Sequence, residues 1–179
     1  MVRKRNKLLI VDGYNVLRSG ERYKTLAFGP DYTDDAFNTA RERLINDVVN
    51  FAGRDWRAII VFDGAKNEFS TGETQTIGGV RIMFSPAGTS ADKVIEKLAH
   101  DARVRNVETM VVTSDATIQD TVFGGGIDRM SANGFSREVG MYYEDVHLDE
   151  TPKVALKRTL GDRIKPDVLE KLKAMRDGA

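Results

Sequence analysis

Three apolar, β-prone runs in this chain each lead into an aspartate. Leu8–Val11 precedes Asp12, Ala58–Phe62 precedes Asp63, and the run ending at Val112 is followed by Thr113, Ser114 and Asp115. A fourth run, Val80–Phe84, lies between the second and third, and Ile127–Met130 reads as a brief fifth strand. Helical patterns fill the gaps. Phe37, Ala40, Leu44, Ile45, Val48 and Val49 recur at three- and four-residue spacing, which predicts a helix from a cap at Asp34 to about Ala52. Val94, Ile95, Leu98 and Ala102 predict a second helix starting near Ser90. A short helix after Asp115 should stop at Gly124-Gly125-Gly126, and Ser131 should cap another that carries Phe135, Val139, Tyr142 and Val146. Strands alternating with helices predict an α/β fold, a mainly parallel sheet covered on both faces.

The remaining text divides the chain. "MVRKRNK" opens with a basic tail over residues 1–6, the alternating pattern occupies 7–150, and Lys-rich helical text over 151–179 reads as a C-terminal helical extension. The segment 64–79, rich in Gly, Thr and Ser, reads as a long exposed loop or a loose hairpin. No apolar run reaches the ~18–20 residues that span a bilayer. The basic start is followed by too short an apolar run for a signal peptide, so the expected location is the cytoplasm. With no cysteine, disulfides and thiolate metal sites are excluded, and His100 and His147 are too few for a His-rich zinc site. The formal net charge is zero, so any attraction to nucleic acid has to come from local patches.

In a parallel sheet, Asp12, Asp63 and Asp115 all fall at the strand ends where ligands bind, and Asp92 starts the helix leading into the strand before Asp115. Four carboxylates in one crevice repel one another, and their pKa values rise. A divalent cation removes that penalty, and all-oxygen ligands suit Mg2+ or Mn2+. Each acid also has an ordinary reading: Asp115 or Ser114 as a helix cap, Asp92 as a first-turn acid, Asp63-Gly64 as a turn. Capping does not explain why all four share one edge. Gly13 would let the chain turn directly after Asp12 and let a ligand approach the backbone. Asn15 could hydrogen-bond a metal-bound water or a phosphate oxygen, or simply cap a turn.

The segments "LLIVDGYNVL", "IIVFDGA", "TSADKVIEKLA", "VVTSDATIQ" and "DRMSANGF" resemble the YacP-like branch of the NYN domain family, within the PIN-like metal-dependent ribonucleases. The resemblance runs from Lys7 to the mid-140s. It implies a three-layer α/β/α sandwich and cleavage of single-stranded RNA at an acidic site holding one or two Mg2+ or Mn2+ ions. Asp12, Asp92 and Asp115 match the family's acids, with Asn15 beside the first and Asp63 as the strand-two acid. It also implies mRNA as substrate and a ribosomal partner. The branch often carries a glutamate in the turn before the helix of Asp92; here that turn is "SPAGTSAD", and Glu96, one helical turn after Asp92, could supply the carboxylate.

On this reading Asp12, Asp92 and Asp115 hold metal, Asp63 or Glu96 completes the shell, and Asn15, Thr113, Ser114 and Gln119 position phosphate or water. Arg18, Arg22, Lys24, Lys66 and Arg129 are candidate RNA contacts, with Arg3, Lys4 and Arg5 adding non-specific attraction. Tyr14 or Tyr23 could stack on a base or belong to the core. Two other readings compete. A catalytically weak RNA- or ribosome-binding module keeps the acids without cutting. A metal-dependent phosphatase with an aspartyl nucleophile would need a D-x-D arrangement, and the residue two after Asp12 is Tyr14.

Overall fold

Leu8–Val11 is apolar on both faces, as a strand buried between helices must be. It forms β1 (Lys7–Asp12), with β2 (Trp56–Phe62) on one side and β5 (Thr109–Val112) on the other, both parallel to it. The structure, a computed structural model, describes residues 6–28, 33–64 and 72–145, apart from the side chains of Phe28, Asp34 and Gln119. The sheet has six strands in the order β3-β4-β2-β1-β5-β6, where β3 is Thr74–Ile77, β4 is Val80–Phe84 and β6 is Ile127–Met130. Only β3 runs antiparallel, paired with β4. Part of the segment expected to be a loop or loose hairpin is therefore a tight hairpin. Gly78 and Gly79 have φ of 57° and 82°, the left-handed pair that a two-residue hairpin turn requires. Residues 65–71 lie outside the described residues.

Helices α1 (Gly13–Ser19), α2 (Glu21–Phe28) and α3 (Asp34–Ala52) cover one face, and α4 (Ala91–Val104) with α5 (Ala116–Val122) covers the other. This is the three-layer sandwich. Strand alternation sorts the core between the layers: Leu8, Ile10, Ile59, Val61 and Val111 pack with Ile95, Ala99 and Ile118 of α4 and α5. A further helix, α6, begins at residue 132; Phe135 lies against Phe51 of α3 with ring centroids 5.4 Å apart. Residues 1–139 form one compact unit and 140–179 another, of which only the helical residues 140–145 are described. The expected C-terminal extension lies outside the described residues.

The caps show where sequence signals act. Ser90 caps α4 by accepting from the Lys93 amide, and Asp115 caps α5 by accepting from the Thr117 amide at 2.8 Å. For α3 the cap is Thr33, whose hydroxyl accepts from the Ala36 amide at 3.1 Å, not Asp34, which is already the first helical residue. The chain after Asp12 forms α1 immediately instead of the expected turn. Gly13 is its first residue, and a Cβ there would meet the Phe62 ring. The glycine admits an aromatic ring.

Candidate acidic site

Strand alternation also decides which way the acids face. The period of two that gives Leu8 and Ile10 to the α4 layer carries on to Asp12, and the one that gives it Ile59 and Val61 carries on to Asp63. Both positions therefore lie toward the start of α4, where Asp92 occupies the first turn. Asp12 is 6% exposed and sits at the N-cap position of α1 without capping it. Its Oδ2 instead accepts from the Thr113 hydroxyl at 2.9 Å. The same Thr113 oxygen accepts from the Asp115 amide at 3.1 Å, so one fully buried hydroxyl ties Asp12 to the Asp115 turn.

Asn15 braces the arrangement from α1. Its Oδ1 accepts from the Ser114 amide at 2.7 Å, and the Ser114 hydroxyl accepts from the Ala132 amide at 2.9 Å, at the start of α6. The loop after β5 is thereby pinned to two other elements. Across the crevice, the Ser85 hydroxyl accepts from the Gly64 amide at 2.8 Å and donates to Asp63 Oδ1 at 3.4 Å. Glu96 lies one turn below Asp92 and accepts from the Thr121 hydroxyl of α5 at 3.0 Å.

The electrostatics follow from this packing. Burial pushes the Asp12 carboxyl from 3.8 up to about 6, the neighbouring charges of Asp92 and Asp115 push the same way, and the Thr113 hydroxyl and the backbone N–H of Asn15 pull it back. Asp92 is also raised, first by partial burial and then by Asp115, Glu96 and Asp63. Asp12, Asp92 and Asp115 thus form an inner group, with Asp63 and Glu96 flanking Asp92. Among the described residues, no group of three or more Asp, Glu or His side chains is placed so that it could hold a metal ion by itself. The donor chemistry, oxygen only and mutually repelling, is of the kind hard divalent cations take. Mg2+ takes few protein carboxylates and completes its shell with water and substrate phosphates.

The candidate RNA-contact residues separate into groups. Arg18 and Lys24 are exposed on α1 and α2. Arg22 is committed to Asp47 of α3: its Nε and Nη2 donate to Asp47 at 2.7 and 3.3 Å, and the fully buried Tyr23 donates its hydroxyl to the same carboxylate at 2.7 Å. Both side chains are thus tied to α3 through Asp47, Tyr23 wholly inside the core and Arg22 half-buried. Arg129 lies on the edge strand β6 with its guanidinium over the Phe123 ring. Lys66, the Gln119 side chain and the tail residues Arg3, Lys4 and Arg5 lie outside the described residues.

Tyr14 is half-buried between Phe37 and Phe62, with centroids 5.7 and 5.0 Å away. Burial raises its hydroxyl pKa, Arg41 lowers it, Asp63 raises it and Arg18 lowers it. The phenol therefore stands where the acid edge meets two cations. Arg41 was not anticipated, because only the docking of Phe37, one turn before it on α3, brings it there. Its one sequence signal is that four-residue spacing.

A mainly parallel three-layer α/β sandwich with acids gathered at one sheet edge defines a nuclease-like domain. The chain belongs to the YacP-like NYN domain family, which it matches over residues 9–177. It is 32% identical to the Bacillus subtilis protein YacP over 132 residues, 74% of each chain. A crystal structure of Rae1 (YacP) from Bacillus subtilis aligns with a TM-score of 0.61 at 30% identity, covering 96% of this chain and 95% of that one. A single-substitution variant of the same protein aligns with a TM-score of 0.64 at 29% identity, covering 89% and 86%. Among the described residues no helix is long and apolar enough to cross a membrane.

Proposed function

We propose that this chain is a metal-dependent endoribonuclease that hydrolyses phosphodiester bonds of single-stranded RNA, with mRNA on the ribosome as its substrate. The observation that carries this reading is the electrostatic coupling of Asp12, Asp92 and Asp115 on one sheet edge, with Asp12 raised to about 6. A group of acids held together against their own repulsion is an arrangement that a bound cation stabilises.

Asp12, Asp92 and Asp115 would hold one or two Mg2+ or Mn2+ ions, with Asp63 and Glu96 able to complete or orient the shell. Such an ion supplies Lewis acidity, lowering the pKa of a water and neutralising charge on the phosphoryl oxygens. The protein's own groups do the rest. Thr113 donates to Asp12 Oδ2 and so fixes the carboxylate in one orientation. Asn15 spends its carbonyl oxygen on the Ser114 amide and keeps its NH2 group to donate to a phosphate oxygen. Arg18 and Arg41, beside Tyr14, offer positive charge to the strand as it enters, and Tyr14 offers a ring edge to a base.

The test is cleavage of a fluorescent single-stranded RNA with Mg2+ or Mn2+, alone and in the presence of translating ribosomes. Wild type should cut, and Asp12→Asn and Asp92→Asn should each lose at least a hundredfold in rate, about 2.7 kcal/mol of barrier. RNA bound but left intact under every condition would make the chain a binding module. Phosphate released from small phosphomonoesters, with RNA untouched, would make it a phosphatase.

A further inference from the structure

α4 runs against the strands it covers, so its first turn lies over the acid edge and its last turn over the opposite edge. There a cavity of about 340 Å3 opens between the end of α4 and the first residues of β1, β2 and β4. It exists because α4 packs on β1, β2 and β5, leaving the β3–β4 side of this face open beside it. Leu8, Ile59 and Leu98 give the cavity an apolar floor. Cross-strand register brings arginines to the same face, since Leu8 pairs with Arg57 and Ile59 pairs with Arg81. Arg105, the residue that ends α4, lines it from above.

These three arginines are exposed, and none makes an ion pair with a described residue. Against them the cavity lining holds one acid, Asp101, which leaves two positive charges around an apolar floor. Like charges lining one cavity repel one another, and an anion placed among them relieves that repulsion. The volume falls in the usual range for small-molecule sites, ~300–1,000 Å3.

We propose that this cavity binds a nucleoside phosphate. Its phosphate lies among Arg57, Arg81 and Arg105, whose forked donors suit a doubly charged phosphate. The base lies on Leu8, Ile59 and Leu98, and Asp101 accepts from a base amino group or a ribose hydroxyl. About 13 Å of β1 separates Leu8 from Asp12 at the usual strand rise, so one nucleotide cannot occupy both this cavity and the acidic site. The ligand is either a free nucleotide or the phosphorylated end of an RNA strand.

Calorimetry on the full chain, with EDTA present to keep the acidic site free of metal, tests the assignment. Adenosine and uridine 5′-monophosphate should bind saturably, and inorganic phosphate at least tenfold more weakly. Arg81→Ala with Arg105→Ala should weaken nucleotide binding at least tenfold with no change in melting temperature. If that pair melts early, Arg105→Glu alone at the exposed helix end reads the same loss. Displacement of the nucleotide by a 5′-phosphorylated RNA hexamer identifies a strand end as the ligand, and failure of the hexamer to compete identifies the free nucleotide; either supports the site. The proposal is overturned by absence of nucleotide binding, by equal binding to the variants, or by phosphate binding as tightly as the nucleotide.

Discussion

Asp12 destabilises the protein that houses it. Its carboxyl titrates near 6 in the folded chain against 3.8 unfolded, so between those values the folded state holds more protons than the unfolded one. Stability then falls as pH rises through that window, and above it the penalty is complete, about 3 kcal/mol if the whole shift is counted. Asp12→Asn should therefore raise the metal-free unfolding free energy at pH 7 by roughly 2–3 kcal/mol and flatten its pH dependence between 4 and 6. Urea titrations across that range check this, and a variant no more stable than wild type would contradict it. Thr113→Val should act in the other direction, since the hydroxyl that favours the ionised Asp12 is gone. The Asp12 carboxyl should titrate higher still in a carbon-detected NMR titration. Asp47 behaves differently. It is 1% exposed and holds both Arg22 and Tyr23, so Asp47→Ala leaves a cation and a phenol without their partner and should cost about 3 kcal/mol. Chemical denaturation measures that loss, and Arg22→Ala should reproduce much of it before any effect on RNA is considered.

At the scale of elements, α1 turns on Gly13. The Phe62 ring it faces is held by Tyr14 on one side and Phe84 on the other, with centroids 5.0 and 5.4 Å away, and cannot readily retreat. Gly13→Ala should accordingly destabilise by about 1–3 kcal/mol, as overpacking does, although alanine is the better helix former. A stability equal to wild type would mean the ring moves freely. The same helix shows what sequence could not convey. β1, β2 and β5 were legible because they are apolar runs, and Asp12, Asp63, Asp92 and Asp115 could be named because they sit at strand or helix ends. Gly13–Ser19 was read as a turn, since seven residues opening Gly-Tyr-Asn carry little helical signal. What makes them helical is the burial of Val16 and Leu17. Thr74–Ile77 was read only as part of a long loop or a loose hairpin, for the opposite reason: it is exposed throughout and is held by pairing with β4. Arg22 was read as a candidate RNA contact, and nothing local reveals that Asp47, twenty-five residues on, will face it.

For the molecule as a whole, the strain at the acid edge makes stability a reporter of ligand binding. Mn2+ or Mg2+ should raise the melting temperature, by an amount equivalent to about 2.7 kcal/mol at a hundred times the dissociation constant. Because protons and metal compete for Asp12 and Asp92, which both hold protons more tightly than free carboxylates, the gain should fade below pH 6. Differential scanning fluorimetry from pH 5 to 8 with and without metal measures this. A gain that stays constant to pH 5 would place the ion elsewhere.

The bonds that hold Asp12 to Thr113 and Asn15 to Ser114 span 101 and 99 residues of chain, and Ser114 is in turn fixed by Ala132. Contacts so distant in sequence form late, after shorter loops have closed. While the protein is being made, the opening motif therefore has nothing to brace against until more than a hundred further residues have emerged. Until then its acids stay scattered along an unfinished chain. Whatever this site does to a ligand, a growing copy of the protein cannot yet do it.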